Sequence, residues 1–416
     1  MVETLMQRVL EKGNLQRALR QVMRNKGSAG VDRMSVSALP GYLKRHWLSI
    51  KDDLLAGRYR PQGVLRVEIP KADGGIRSLG IPTVVDRFIQ QALMQVLQSD
   101  WDGTFSASSY GFRPGRSAHQ ALRAVQGHVQ AGCSWVVDLD LEKFFDRVNH
   151  DVLLSRVRAR VRDTRVVKLI AAYLKAPVDV GAEQVSRTQG TPQGGPLSPL
   201  LSNLLLDDLD RELARRGHRF VRYADDCNIY VRSRRAGERV KASVTRFLER
   251  KLRLQVNERK SAVDRPWRRQ FLGFTFGQGW SCRLVISAAS LARMKERVRA
   301  LTRRTRGRTM RHIVQELREV LLGWRAYYGI SEVRKPLREM DKWVRRKLRC
   351  YAWKQWGRGG YRQLRHHGVS RELAWNTCKS AHGPWRLSRS PALSFALPAK
   401  YFAGLGLPEL AVAASR

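Results

Sequence analysis

Residues 219–231 run Arg219-Phe220-Val221-Arg222-Tyr223-Ala224-Asp225-Asp226-Cys227-Asn228-Ile229-Tyr230-Val231. Two β-rich apolar runs flank a pair of adjacent acids. The pattern predicts a tight hairpin with both carboxylates at its turn, placed to bind a hard cation. Aspartate is also an ordinary turn residue. Adjacent acids between apolar strands, in a chain this basic, are better explained by a metal. A second acidic run supports that reading: Trp135-Val136-Val137-Asp138-Leu139-Asp140-Leu141-Glu142-Lys143-Phe144-Phe145-Asp146. Carboxylates buried along an apolar strand are costly without a cation partner. Three aspartates from two neighbouring strands suit phosphoryl transfer, in which two divalent ions activate the attacking hydroxyl, neutralise the phosphate and stabilise the leaving oxygen. Magnesium fits, because it takes oxygen ligands, typically one or two carboxylates completed by waters and substrate phosphates.

Composition says what such chemistry would act on. The 416 residues suggest two or three domains, and 43% hydrophobic residues suffice for their cores. Lys and Arg number 78 against 36 acids, a formal charge of +42. That self-repulsion calls for a polyanion, and nucleic acid is the obvious one. No apolar run is long enough to span a bilayer, so no membrane partner is expected. The opening MVETLMQRVLEKGNLQ reads as an amphipathic helix without a secretory apolar core, and its early glutamates count against organelle targeting. Cys133, Cys227, Cys282, Cys350 and Cys378 are scattered and form no Cys-x-x-Cys pair. They argue against a disulfide framework or a zinc site and for ordinary buried thiols in a reducing cytosol or nucleoid. The histidines have no metal-ligand spacing, and no Walker-type phosphate loop is present.

The chain changes texture near residue 280. Residues 281–416 hold 30 of the 78 Lys and Arg but only 8 of the 36 acids. Before that point the β-rich runs Trp135–Leu141, Arg219–Ala224, Cys227–Val231 and Gln270–Phe276 alternate with helical stretches, an α/β or α+β body. Lys71-Ala72-Asp73-Gly74-Gly75 is a hairpin candidate there. After it, Met310, Ile313, Val314, Leu317, Leu321 and Trp324 repeat at helical spacing. Lys342, Arg345, Arg346 and Arg349 then form a basic stripe, with Met340, Val344, Leu348 and Tyr351 on another face. A charged stripe is usually a solvated face. Here acidic partners at i,i+4 are mostly missing and aromatics (Trp324, Tyr327, Tyr328, Trp343, Trp353, Trp356) are interleaved, which favours phosphate contact with base stacking. From about residue 360 the chain reads as a short irregular extension with one or two small helices.

With these residues in place, the Tyr223-Ala224-Asp225-Asp226 box resembles the signature of reverse transcriptases, and the Asp138–Asp146 run before it resembles their first palm strand. Other blocks follow in that family's order: residues 58–92 look like the fingers, and residues 109–121 (SYGFRPGRSAHQA) like the next block. Residues 189–203 (QGTPQGGPLSPLLSN) look like the element beneath the nucleotide. Asn257–Lys260 and Phe271–Phe274 look like the last two blocks. Asn25–Asp32, Leu322–Tyr328 and Tyr351–Trp356 resemble the group II intron branch, with its N-terminal extension and its thumb or maturase region. The resemblance covers nearly the whole chain. Single blocks are weak, and their ordered succession is specific.

The resemblance implies an α+β right-hand polymerase: an N-terminal extension (1–57), fingers and palm (58–280), a helical thumb/maturase region (281–360) and a basic C-terminal extension (361–416) expected to bind DNA. In the family's motif the metal aspartate lies five residues before an aromatic and six before an acid. Asp140, Phe145 and Asp146 meet that spacing. The expected metal ligands are therefore Asp140, Asp225 and Asp226, with the carbonyl of Leu141. Asp138 stays open as a rival, because it shares a strand face with Asp140. Phe145 would be the gate against a ribose 2′-hydroxyl. Lys71 and Arg77 would hold the triphosphate, unless they are plain surface cations; Gln193, Tyr223 and Ala224 would border the incoming nucleotide. The implied function is RNA-directed DNA synthesis with two Mg²⁺ ions by a protein of the bacterial cytosol. It would bind its intron RNA, assist splicing and copy that RNA into DNA from a target primer, using dNTPs. A splicing-only RNA chaperone and an intron-free polymerase for repair or phage defence are the alternatives. Paired Cys-x-x-Cys elements are lacking, so no C-terminal endonuclease is expected and the primer would come from a nick or a replication fork.

Overall fold

A computed structural model describes residues 4–70, 75–180, 183–279 and 281–412. The chain divides into two compact units, Met1–Arg265 and Pro266–Arg416. The division falls before the change of texture near 280, because the Gln270–Phe276 run forms its strand within the second unit.

In the first unit the elements are α1 (Leu5–Val9), α2 (Lys12–Asn25), α3 (Leu39–Leu55), β1 (Val64–Pro70), β2 (Ile76–Ile81), α4 (Val84–Trp101) and α5 (Ala118–Gln130). They continue with β3 (Trp135–Leu139), α6 (Phe144–Arg147), α7 (His150–Arg160), α8 (Thr164–Lys175), β4 (Val178–Val180) and β5 (Glu183–Val185). The last are α9 (Ser198–Arg215), β6 (Arg219–Tyr223), β7 (Asp226–Val231), α10 (Arg234–Phe247) and β8 (Ala262–Asp264). One hydrophobic cluster joins α1 to the segment after α10. Helix α4 is buried on every side from Val84 to Leu93, as a helix crossing a core must be. The Thr83 hydroxyl caps it, accepting from the Asp86 amide at 3.2 Å.

Two four-stranded sheets frame the unit. One has the order β2-β1-β4-β5, with β1 and β2 antiparallel from Leu65↔Ile81 to Pro70↔Ile76. The hairpin expected at Lys71–Gly75 lies between these strands, and residues 71–74 are outside the described residues. The other sheet has the order β6-β7-β3-β8 and is antiparallel throughout. Helix α10 packs on β3, β7 and β8. The apolar runs therefore form strands because Val137, Leu139, Phe220 and Ile229 can all enter one core.

The second unit contains β9 (Phe274–Phe276) and β10 (Leu284–Ile286), then α11 (Ala288–Leu301), α12 (Met310–Tyr328) and α13 (Lys335–Trp356). The helical spacing read from the sequence is met: Ile313, Val314, Leu317 and Leu321 are buried in α12, and Met340, Val344, Leu348 and Tyr351 in α13. The stretch expected to be irregular is instead largely helical, with α14 (Gly360–His366), α15 (Arg371–Lys379), α16 (Pro384–Leu387), α17 (Pro391–Ala396) and α18 (Ala399–Gly404). Its Gly, Pro and Ser residues punctuate short helices. Gly368 takes φ 81° between α14 and α15, and Ser370 and Ser390 cap α15 and α17. The five cysteines are all free thiols, Cys378 exposed and the others buried. No helix among the described residues is long and apolar enough to cross a membrane.

Candidate active site

Strands β6 and β7 close on a two-residue turn. Tyr223 pairs with Asp226, leaving Ala224 and Asp225 between them. Ala224 sits at φ 58°, a conformation that hairpin turns usually give to glycine or asparagine. Two contacts hold it there. The Arg222 guanidinium donates to the Ala224 carbonyl at 2.7 Å. Gly111 lies against the same backbone, where any Cβ would collide with the Ala224 nitrogen.

The register across β3 sets the acids. Asp138 pairs with Asn228 and Leu139 with Cys227, so one further step along the antiparallel ladder brings Asp140 opposite Asp226. Opposed residues share a face, and so do residues two apart; Asp138, Asp140, Asp226 and Asn228 thus lie on one side of the sheet. The Asp226 carboxyl is pushed up to about 7, first by burial, then by the charges of Asp225, Asp138 and Asp140, while Lys260 pulls it down. The backbone of Asp140 is pinned from the Asn257–Lys260 block and its neighbour. Its amide donates to Ser261 Oγ at 2.9 Å and its carbonyl accepts from the Asn257 amide at 2.8 Å. Leu141 bridges to Val256 with its side chain buried.

Arg222 is the residue that the sequence reading missed. It is 0% exposed and makes a bidentate pair with Asp210 of α9, at 2.8 and 2.6 Å. Its remaining donors reach Asn203 Oδ1 (3.0 Å), Ser109 Oγ (2.8 Å) and the Ala224 carbonyl. Burial pushes the Asp210 carboxyl up, and the guanidinium opposes that shift. The backbone of Arg222 also pairs with residues 108–110, its amide donating to Ser108 and its carbonyl accepting from Tyr110, both at 2.9 Å. The 109–121 block thus extends the sheet edge beneath the acidic turn. A signal existed: Asn203, Asp207 and Asp210 recur at helical spacing within the leucine-rich α9, and a buried acid there requires a cation.

Two of the expected nucleotide residues, Phe145 and Gln193, meet at the loop at 190–195. Gly190, at φ 85°, lies so close to the Asp146 carbonyl that a Cβ would stand 2.8 Å from it. The Thr191 amide donates to the Phe145 carbonyl at 2.7 Å, tying this loop to α6. The Gln193 carbonyl accepts from the Gly80 amide of β2 at 2.9 Å. Phe145 and Gln193 line a cavity of about 560 Å³ with Leu79, Arg87 and Phe112. Gln193 and Leu79 also wall a second cavity of about 440 Å³ containing Lys143, Asp146 and Arg187. Tyr223 is half-buried and Ala224 buried at the hairpin end. Lys71 lies outside the described residues. Arg77 pairs through its backbone with Ile69, and its side chain is outside the described set.

The basic stripe of α13 departs from its reading as a row of unpartnered cations. Lys342 meets Glu339 at 3.1 Å, and Arg345 meets Glu409 at 3.5 Å. Arg346 donates to Ser388 Oγ and the Trp385 carbonyl and stacks 3.6 Å over the Trp385 ring. Arg349 donates to the Leu397 carbonyl at 2.9 Å. Apart from Glu339, which lies on α13 itself, the partners come from the C-terminal segment after residue 384, which folds back along α13; Asp341 receives the Leu410 and Ala411 amides at 2.9 and 3.0 Å. Helical spacing cannot reveal partners 40 to 70 residues away.

A family model described as reverse transcriptase (RNA-dependent DNA polymerase) matches residues 69–276, half of the chain. The chain belongs to the reverse transcriptase family. A second model, the group II intron maturase-specific domain, matches residues 291–368. Protein YkfC of Escherichia coli (strain K12) is 36% identical over 52% of this chain and 58% of its own length. The group II intron-encoded protein LtrA of Lactococcus lactis subsp. cremoris is 35% identical over 47% of this chain and 32% of its own. The chain thus spans between a third and three-fifths of these relatives. Among solved structures, a chain of the partial Cas6-RT-Cas1--Cas2 complex aligns at 24% identity over 60% of this chain and 43% of that one, with a TM-score of 0.39.

Proposed function

We propose that this protein is an RNA-directed DNA polymerase of the group II intron kind, which binds its intron RNA, assists splicing and copies that RNA into DNA from a primer at the target. The observation that carries the reading is the cluster of acids at the end of the β6–β7 hairpin, where Asp225, Asp138 and Asp140 act on Asp226, in a chain of the reverse transcriptase family. The maturase-specific match supports the intron RNA as partner, and the free thiols suit a bacterial cytosol.

The residues fit divalent cations, for which Mg²⁺ is the natural choice. Burial and crowded carboxylates push Asp226 up to about 7, and positive charge relieves both. Among the described residues no three acids close around one point at ligating distance; an Mg²⁺ site of one or two carboxylates leaves its other positions to water and substrate phosphates. When bound, such ions lower the pKa of a primer 3′-hydroxyl and neutralise the phosphate under attack. Asp225 in the turn and Asp226 at the start of β7 would hold the ions with Asp140, one residue past β3, and the Leu141 carbonyl would be a further oxygen. Phe145 presents its ring to the sugar edge of the incoming dNTP. Gln193, Tyr223 and Ala224 border the same nucleotide. Lys71 and Arg77, from the β1–β2 hairpin, would meet its triphosphate.

Primer extension on an RNA template in Mg²⁺ tests the assignment. Asp140→Asn and Asp225→Asn abolish extension, and Asp138→Asn leaves clear activity. A dead Asp138→Asn with an active Asp140→Asn would move the metal ligand one strand pleat.

A further inference from the structure

The first unit has a cationic trench at the opposite end of the same hairpin. Arg219 begins β6, opposite Tyr230 and about 13 Å along the ladder from the Tyr223–Asp226 pair, and Arg232, two residues beyond Tyr230, lies about 20 Å from it. Between that strand end and α10 is a cavity of about 860 Å³ whose charged lining is Arg216, Arg219, Arg232, Arg239 and Arg246, with no acid. Small residues, Gly217, Ala236, Ala242 and Ser243, stand among the arginines in its lining, over buried Cys133, Tyr230, Val231 and Val240. Along α10, Ala236, Arg239, Val240, Ser243 and Arg246 follow helical spacing, so the two arginines stand on one face about 10 Å apart.

Arg216 is committed to Glu212 and Ser243, at 2.6 and 3.1 Å. Arg219, Arg232, Arg239 and Arg246 are exposed, and among the described residues no carboxylate pairs with them. Nearby acids do find partners: Glu238 pairs with Arg234, and Glu258 with Lys241. The fold thus neutralises acids around the trench and leaves its rim cationic. Small residues between the arginines leave room for a backbone to approach, and planar guanidiniums suit bidentate contact with phosphate oxygens.

We propose that this trench binds the sugar–phosphate backbone of folded RNA at the same time as a primer–template occupies the acidic end of the hairpin. Phosphate contact is sequence-independent, so the trench holds RNA in place and does not read it. The proposal goes beyond the polymerase reading and does not require catalysis.

The test uses the full chain, preloaded with saturating RNA–DNA primer–template, and a labelled RNA hairpin titrated at several salt concentrations. The wild type binds the hairpin without displacing primer–template. The variant Arg219→Gln/Arg232→Gln/Arg239→Gln/Arg246→Gln flattens the slope of log affinity against log salt by roughly 3 units, at about 0.7–0.9 per lost contact. It keeps wild-type primer extension. A control, Lys44→Gln/Arg45→Gln/Arg250→Gln/Lys251→Gln, removes equal charge from exposed positions outside the trench and shifts the slope by less than half as much. Full competition by primer–template, an unchanged slope, or equal loss in the control each overturns the proposal. Loss of extension in the wild type would count against the polymerase reading alone.

Discussion

The acidic turn of β6–β7 and the basic stripe of α13 are both runs of like charge on regular elements, and the fold treats them oppositely. At the turn, carboxylates face carboxylates, and burial together with these neighbours pushes the Asp226 carboxyl up to about 7. In the α13 stripe, Lys342 and Arg345 meet carboxylates, Arg346 and Arg349 donate to carbonyls, and Arg346 also stacks on an indole. The difference teaches where to look for ligands. Repulsion left in place by a stable fold is stored for something that arrives later, while charge already answered internally is architecture.

The largest expected effect breaks the acidic side. Asp225→Ala removes a proposed metal ligand, and loss of a metal that stabilises transition-state charge by several kcal/mol lowers primer extension by at least about 10³-fold. Its urea midpoint stays within error or rises, because a repulsive neighbour of Asp226 is gone. A clear fall in midpoint would mean that Asp225 is structural.

Next comes the support beneath the turn. Arg222→Met strands Asp210 in the core and destabilises the first unit by about 3–5 kcal/mol, measurable by urea unfolding. The double variant Arg222→Met/Asp210→Leu recovers most of that stability. Extension by the double variant remains low, because the Ala224 carbonyl has lost its donor and the turn can relax. Full recovery of both would reduce Arg222 to a packing role.

Phe145→Val opens the cavity beside Gln193. Discrimination between dNTP and rNTP falls about 10- to 200-fold, the range for removing a close apolar fit, read as the ratio of kcat/KM values. Unchanged discrimination removes Phe145 from that position.

The smallest effect sharpens the basic side. Arg346→Gln/Arg349→Gln removes charge-assisted hydrogen bonds that contribute about 1–3 kcal/mol each, so the second unit melts a few degrees lower. The salt slope of RNA binding changes by less than about one unit. A drop of two contacts' worth would return the stripe to phosphate binding and dissolve the contrast.

What was legible in the sequence follows the range of the forces involved. The Asp225–Asp226 hairpin, the face shared by Asp138 and Asp140, and the buried faces of α12 and α13 depend on spacing within one element or between adjacent strands. They read correctly. Arg222 did not, since strand alternation beside Val221 suggests a surface cation; its burial depends on Ser109, Asn203 and Asp210, as much as 113 residues away. Arg346 and Arg349 failed for the same reason, with partners 39 to 48 residues downstream. Periodicity reports which face is wet only when no later segment returns to cover it.

The absent side chain of Gly111, set against the strained backbone of Ala224, has a consequence for inheritance. Ser109, Gly111, Asn203, Asp210, Arg222 and Ala224 are interlocked through one guanidinium and one glycine contact, so a change at any of them alters what the others can be. A chimera that exchanges the hairpin with a relative's must carry residues 108–111 and the relevant face of α9 with it. Six positions spread over more than a hundred residues are, for the purpose of recombination, one locus.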